Sequence, residues 1–161
     1  MPTIPRAQFD SSDNVPAGEL VILPGGSYAI TIKARADVVA PNVFAVFNTE
    51  NNAAIALFEH FAQPIEVVRL GTDYVAELSE MQTTTFGHAA EFAAARSSML
   101  VTPIGVGFLI RMPDRPNYFR FVSLSDYVTQ QIPDHGAVLG KWRLGLRKSE
   151  GMRWLVENIG L

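Results

Sequence analysis

Residues 99–124, MLVTPIGVGFLIRMPDRPNYFRFVSL, decide the fold because they hold two long apolar runs separated by a turn sequence. Phe108 and Ile110 lie on one face of the first predicted strand, and Phe119 and Phe121 share a face of the second. The intervening PDRPN contains two prolines, which cannot donate ladder hydrogen bonds, so the chain is expected to reverse there. Both runs are apolar on more than one side, which predicts a central position between two layers.

The length and composition point to one domain whose surface is partly covered. At 161 residues the chain is long enough for a substantial core. Only 18% of the residues are charged, below the usual ~25%, which predicts that protein subunits cover part of the surface. The formal net charge of −3 argues against a nucleic-acid partner. Because the chain contains no cysteine, disulfides and thiolate metal sites are excluded.

The sequence predicts neither a signal peptide nor a membrane span. Met1 is followed by polar residues and proline rather than by a basic and then an apolar run. No apolar run approaches the ~20 residues that a membrane-spanning helix needs. We therefore expect no membrane partner.

The N-terminal residues 1–18, MPTIPRAQFDSSDNVPAG, are predicted to form an extended arm, because they contain three prolines and no apolar period. Ile4, Phe9 and Val15 are the apolar residues that such an arm would place against another surface. The simpler interpretation is a loose chain terminus. Residues 19–161 are predicted to form a single β-rich domain.

Alternation and turn residues predict further strands along the domain. Residues 20–23 and 28–35 flank a Pro-Gly-Gly turn, and residues 137–148 form a last strand. Residues 65–70 and 74–78 flank Gly-Thr-Asp, which predicts another hairpin.

Residues 43–61 fit two structures. A hairpin across NTENN would pair residues 43–47 with residues 54–61. Alternatively, Asn52 caps a helix that runs to Pro64, with apolar residues at helical spacing. We favour the hairpin.

Three segments carry helical signals. Residues 88–96 are rich in alanine, and Ser125 or Asp126 could cap a short helix that ends at Pro133. At the C-terminus, the apolar residues at i, i+3, i+4 and i+7 predict a short amphipathic helix: Met152, Leu155, Val156 and Ile159. The predicted fold is therefore mostly β, an antiparallel β-sandwich or jelly roll with one or two peripheral helices, including the C-terminal one.

No group of residues has the pattern of a catalytic, cofactor or metal site. The histidines His60, His88 and His135 show no HxH or HxxxH spacing, so we predict no metal centre. There is no GxSxG elbow around a serine, and Gly105 and Gly107 belong to no phosphate-binding motif. We therefore predict that the chain is not an enzyme and binds no cofactor.

The run from residue 98 to residue 128, strand, Pro-Ile-Gly, strand, turn and strand, resembles the β-turn series of cupins. That resemblance implies a small-ligand-binding β-barrel module. The HxH…Glu…His metal pattern of that family is absent, which removes its usual ligand residues.

Acidic and basic residues are segregated along the chain. The acidic segment has Arg69 as its one base and holds Glu50, Glu59, Glu66, Asp73, Glu77, Glu80 and Glu91. The basic segment has Glu150 as its one acid and holds Lys141, Arg143, Arg147, Lys148 and Arg153. On the last predicted strand Lys141, Arg143 and Arg147 share one face. These charges either pair within the chain or form a basic ladder that meets the acidic segment of a neighbouring copy.

The function predicted from these features is structural. The chain is expected to assemble with other protein subunits, as a homo-oligomer or in a larger assembly such as a bacteriophage virion (capsid decoration, connector or tail). Its predicted interaction residues are Ile4, Phe9, Val15, Lys141, Arg143 and Arg147. The alternatives are a small-ligand-binding module and an enzyme whose site carries no recognisable motif. The location is the virion under the first hypothesis and the cytoplasm under the others.

Overall fold

The computed structural model describes residues 8–35, 42–79, 84–86, 96–115 and 117–160. They form one mixed sheet of 15 strands, so the prediction of a mostly β chain is confirmed. One turn of 3₁₀ helix, Ser12–Asn14, is present as well. The strands are β1 Gln8–Ser11, β2 Leu20–Ile22, β3 Tyr28–Thr31, β4 Val43–Glu50, β5 Ala53–His60, β6 Glu66–Gly71, β7 Tyr74–Leu78, β8 Thr84–Phe86, β9 Met99–Thr102, β10 Gly105–Arg111, β11 Phe119–Ser123, β12 Thr129–Gln130, β13 Gly136–Gly140, β14 Trp142–Lys148 and β15 Gly151–Ile159.

The predicted central hairpin is present as β10 and β11, which pair antiparallel from Gly107 opposite Ser123 to Arg111 opposite Phe119. Phe108 in β10 is fully buried in the largest core cluster. The next residue, Leu109, points to the opposite face and is fully buried in a separate cluster. Around Phe108 and Leu109, both faces of the hairpin are therefore covered by core residues.

A closed circuit of strand pairings surrounds the largest core cluster. β3 pairs with β4, β4 with β5, β10 with β11 and β11 with β12, all antiparallel. A parallel contact between Arg111 and Leu57 joins β10 to β5. The circuit closes where Lys33, just after β3, bridges Val128, just before β12. β3, β4, β5, β10 and β11 all contribute buried side chains to this cluster, which makes it the centre of the domain.

Three aromatic rings fill the middle of that core. Trp142 of β14 packs against Phe47 and Phe108, with ring centroids 5.7 Å and 5.1 Å apart. The indole N–H of Trp142 donates a 2.7 Å hydrogen bond to the carbonyl oxygen of Ser97. The polar atom of a fully buried side chain is thereby satisfied, as a dry core requires.

Two hairpins predicted from the turn residues have different outcomes. Residues 53–60 form β5, which pairs with β4 along its whole length, so the hairpin was the correct choice over the helix. The hairpin predicted around Gly71 is wrong, although both strands exist. β6 pairs with β1 and β2, whereas β7 pairs with β14. β6 and β7 therefore each pair with strands that are distant in sequence and not with each other.

The predicted C-terminal helix is also wrong, because residues 151–159 form β15, which pairs with β14. The pairing shifts register twice, between Trp142 and Leu144 and between Leu144 and Gly145. Each shift places an extra residue in β15, so Val156 and Ile159 both reach the core although they are three positions apart. A bulged strand has thus produced the spacing that is typical of a helix.

Two smaller predictions also need correction. The helix predicted from Ser125 or Asp126 to Pro133 is replaced by a turn and the short strand β12. Residues 137–148 are split by Lys141 into β13 and β14, which pair with different strands. The alanine-rich helix predicted for residues 88–96 lies outside the described residues, except for Arg96. No helix in the described ranges is long and apolar enough to cross a membrane.

Candidate protein interaction site

The apolar residues predicted to dock the N-terminal arm have different environments. Ile4 lies outside the described residues. Phe9, in β1, is 65% exposed, whereas Val15 is buried in the chain's own core beside Val21 and Val67. Of the described pair, only Phe9 is therefore available to a partner.

β1 is held on the sheet by an ion-pair cluster around Arg69, its neighbour on β6. Arg69 donates two hydrogen bonds to the carboxylate of Glu19, at 2.7 and 2.8 Å, and a third to Asp10 at 3.0 Å. Hydrogen bonds from Asn14 and Arg69 hold the pKa of Asp10 below its ordinary value. The single base of the acidic segment is thus fully engaged inside the chain.

The middle member of the predicted basic ladder, Arg143, also pairs within the chain. It donates a 2.8 Å hydrogen bond to Glu77, which lies directly opposite it on β7, and its guanidinium lies 3.8 Å from Glu157. The guanidinium also stacks 3.6 Å from the ring centroid of Trp154. Arg143 is therefore paired and stacked within its own chain.

The other two members of the ladder differ from Arg143. Lys141 lies in the break between β13 and β14, and its carbonyl oxygen accepts a 2.9 Å hydrogen bond from the Ser79 N–H. Arg147 is exposed near the end of β14. The three residues therefore do not form one continuous ladder.

The end of the β14–β15 hairpin, residues 147–153, is a basic projection that we call the tip. Pairing of β14 with β7 stops at Leu146 opposite Tyr74, so the tip extends past β7. Arg147 lies directly opposite Met152, which is 38% exposed. The tip also contains three further exposed charged residues: Lys148, Glu150 and Arg153. Within the described part of the chain, none of its three cations has an ion-pair partner.

Two surface depressions adjoin each other near the end of β5, and we call them together the groove. Each has a volume of about 330 Å³, and Ile65 lines both. One is also lined by Phe61 and Glu59, and the other by Phe9 and Glu66. The half with Phe61 is therefore mainly apolar, the half with Phe9 is more polar, and each half has an exposed carboxylate.

A second exposed apolar surface lies on the β9–β10 hairpin. Val101 and Val106 face each other across the two strands, and Ile104 is in the turn between them. Their exposed fractions are 37%, 41% and 47%. Val101 and Val106 lie on the same face of the two strands as Met99 and Phe108, which are buried in the core. Toward the turn, no part of the described chain covers this face, so these side chains are exposed to water.

The described residues offer little that resembles a reaction centre. His60 and His135 are exposed, and His88 lies outside the described residues. No group of three or more His, Asp or Glu side chains that could hold a metal ion occurs among the residues described. The Ser123 and Ser125 hydroxyls are 2.8 Å apart, but neither is within hydrogen-bond distance of a histidine there. Burial, followed by the hydrogen bond with Tyr127, raises the pKa of Tyr74, which keeps its phenol neutral.

The sequence does not reveal that β15 has an outer face, which carries Met152 and Trp154. Met152 was assigned to the buried face of a helix, and Trp154 was not singled out. The signal that could have identified their face is the alternation of Met152 and Trp154, which the bulge between Trp154 and Val156 then interrupts. No protein-family model matches the chain, and neither curated proteins nor solved structures give a significant match.

Proposed function

We propose that this chain is a structural protein that acts by assembling with other protein subunits, as a homo-oligomer or as part of a larger assembly. The observation that carries the proposal is the exposed apolar row Val101, Ile104 and Val106 on a well-formed hairpin. Burying one such side chain contributes roughly 1.5–3 kcal/mol, so a row of three favours a covered state. Another polypeptide provides a surface of that shape and polarity.

The filled core supports this proposal over a ligand-binding module. Phe47, Phe108 and Trp142 occupy the centre of the strand circuit, where a β-barrel module would hold its ligand. A small molecule would have to use a surface depression instead.

We further propose that the layers are arranged as a sandwich or jelly roll, and that the assembly is a virion component such as a capsid decoration, connector or tail protein.

The test is the mass of the protein in solution. We expect size-exclusion chromatography with light scattering to give a mass above the 17.7 kDa of one chain, rising with concentration. Replacing Val101 and Val106 together with lysine should lower that mass, because a buried unpaired charge is costly. Tyr118→Lys, which changes an exposed aromatic residue elsewhere, is the control and should leave it unchanged. A strict monomer at the highest attainable concentration would overturn the proposal.

A second candidate, the ligand-binding module, is favoured by one depression of about 420 Å³. Leu57, Met112, Arg111 and Arg115 contribute to its lining. Its volume lies within the ~300–1,000 Å³ of known ligand sites, and its lining combines the carboxylate of Glu59 with the guanidinium of Arg115. Native mass spectrometry of the purified protein tests this candidate. A bound small molecule that is lost in Arg115→Ala would favour it, and a spectrum of bare protein would oppose it.

A further inference from the structure

We infer that the chain assembles head to tail, with the basic tip of one copy seated in the acidic groove of the next. This inference rests on the proposed function and adds the contact by which the copies meet. It assigns one occupant to the groove, namely residues 147–153 of a second copy.

The tip combines an exposed apolar side chain with basic residues, a composition that suits contact with another protein surface. Met152 is an exposed, flexible apolar side chain at the end of a hairpin. Arg147 lies directly opposite it, and Arg153 follows it in the chain. Arg147 shares the face of Met152, whereas Lys148 and Arg153 lie on the opposite face of the hairpin, and the only acid among these residues is Glu150.

The groove has the complementary chemistry. Ile65 is shared by both halves, and the mainly apolar half contains Phe61, which packs edge-on against Phe44 at a centroid distance of 5.8 Å. Glu59 lines one half, where it also borders the depression that contains Arg115, and Glu66 lines the other. Both are exposed and free of ion pairs within the described ranges. A tip seated in the groove would bring Arg147, which shares the face of Met152, and the two cations of its other face near these two carboxylates. Such opposite potentials fix the register of a contact and speed up its formation.

The tip cannot reach the groove of its own chain, because the two lie at opposite ends of the sheet. β15 runs parallel to β5, and Ile159 lies opposite Ala54. The tip lies on the N-terminal side of Ile159 in β15, and Gly151 is ~26 Å from Ile159 at the usual rise per strand residue. Glu59 lies downstream on β5, ~17 Å away on the same scale. The partner must therefore be a second copy.

A tip-to-groove contact joins two different surfaces, so it is heterologous. A pair joined in this way leaves the groove of one copy and the tip of the other free, so the chain of contacts either closes into a ring or grows into a filament. Because the contacting charges are exposed, the association should weaken as salt shortens the screening length to ~10 Å at 0.1 M and ~3 Å at 1 M. Rings and stacked filaments are the architectures expected of the structural proteins proposed above.

Charge exchange between the two surfaces tests the inference. The tip variant carries Arg147→Glu and Lys148→Glu, and the groove variant carries Glu59→Lys and Glu66→Lys. In either variant alone, tip and groove have the same sign, so we expect at least a tenfold loss of association affinity by light scattering. When the two variants are mixed in equal amounts, every contact again joins opposite charges, and the assembly mass should return.

Matched controls separate a specific contact from a change in net charge. Lys33→Glu with Arg35→Glu changes the net charge as the tip variant does, and Asp114→Lys with Asp134→Lys changes it as the groove variant does. All eight side chains are exposed, and thermal unfolding of each variant checks that the fold is kept. Both controls should assemble like the wild type.

The outcomes distinguish this inference from the proposed function. If the wild type assembles and the tip and groove variants assemble equally well, the head-to-tail contact is wrong while the structural role stands. Assembly that is lost in the controls too, or that fails to return on mixing, would also reject the contact. A wild type that stays monomeric overturns both.

Discussion

The two hairpins β10–β11 and β14–β15 have the same local design but face different surroundings. Both are antiparallel pairs that contribute to the largest core cluster. The first is buried on both faces, with Phe108 in one cluster and Leu109 in another. The second is buried on one face, where Trp142 enters the core, while Arg143 and Trp154 stack on the other. Residues 108–110 of β10 are therefore covered on both faces and build the fold, whereas β14–β15 keeps one face open to a partner; Val106, at the start of β10, is exposed and belongs to the apolar row described above.

The largest expected difference between the hairpins comes from one glycine in each. At Gly107 an added Cβ would lie 2.0 Å from the carbonyl oxygen of Val122, so β10 and β11 would have to move apart. Because backbone atoms would have to move, we expect Gly107→Ala to abolish folding or to lower the free energy of unfolding by more than about 4 kcal/mol. Few single substitutions cost that much. At Gly145 the nearest atom is Cε3 of the Trp154 side chain, at 2.7 Å. The Trp154 ring can shift, but the Arg153 carbonyl oxygen, 2.9 Å from the added Cβ, belongs to the backbone of β15. Gly145→Ala should therefore cost about 1–3 kcal/mol, which is less than Gly107→Ala because the backbone contact is less close.

Urea unfolding followed by circular dichroism measures both free energies of unfolding. Similar losses in the two variants would mean that burial on two faces gives the first hairpin no special rigidity. A larger loss for Gly145→Ala would reverse the comparison.

The next effect compares an apolar side chain from each hairpin. Phe108→Ala should lower the free energy of unfolding by about 3–5 kcal/mol, because it opens a cavity between Phe47 and Trp142 in the core. Met152→Ala should change it by less than about 0.5 kcal/mol, because this side chain lies at the exposed tip. The same urea titrations measure both values. A cost above 1.5 kcal/mol for Met152→Ala would show that the tip stabilises its own chain.

The difference in covered faces also explains which hairpin could be predicted from sequence. A strand covered on both sides is a continuous apolar run, and the prolines of PDRPN mark its turn, so residues 99–124 reveal β10 and β11. β15 is covered on one side only, and its alternation is broken by two bulges. The spacing of Met152, Val156 and Ile159 then fits a helix as well as a strand. Bulges are fixed by pairing with β14, which a local pattern does not contain.

The candidate site could be predicted only in part for a related reason. Segregated charge indicated the basic segment, and Arg147 does lie at the exposed tip. The pairing of Arg143 with Glu77 depends on β7 lying beside β14, a contact between residues 66 positions apart. The groove likewise depends on β1, β5 and the segment around Ile65 meeting in space. Contacts of such long sequence separation follow from the topology and not from spacing.

A smaller effect concerns Tyr74, which borders the second hairpin opposite Leu146. Its hydroxyl donates a 2.9 Å hydrogen bond to the Gly18 carbonyl oxygen and lies 2.8 Å from the Tyr127 hydroxyl. Tyr74→Phe should therefore cost about 1–2 kcal/mol at pH 7, at about 1 kcal/mol for each hydrogen bond. Urea unfolding at pH 7 measures this loss. No change would mean that the tyrosine pair does not help to hold β7 in place.

The same tyrosine predicts a pH dependence. Burial raises the pKa of Tyr74 above its ordinary value of 10.0, so the folded state keeps the proton that the unfolded state loses. The stability that this group contributes is fully present below pH 10 and declines as the pH rises further. Between pH 9 and about pH 11, the unfolding temperature of the wild type should therefore fall more steeply than that of Tyr74→Phe. Parallel curves for the two proteins would exclude Tyr74 as the titrating group.

The smallest effect comes from the outer face of the second hairpin, where two carboxylates contact Arg143. Glu77 lies 2.8 Å from the guanidinium and Glu157 lies 3.8 Å from it, and both are about half exposed. Exposed pairs contribute little, so we expect Glu77→Gln to cost about 0.5 kcal/mol and Glu157→Gln less than about 0.2 kcal/mol. Both losses should shrink in 1 M salt, because screening weakens exposed pairs, and unfolding at low and high salt measures the change. A salt-independent loss above about 2 kcal/mol for Glu77→Gln would mean that this ion pair is shielded from solvent. The outer face of β14 would then be covered as well, and the two hairpins would no longer differ in the number of covered faces.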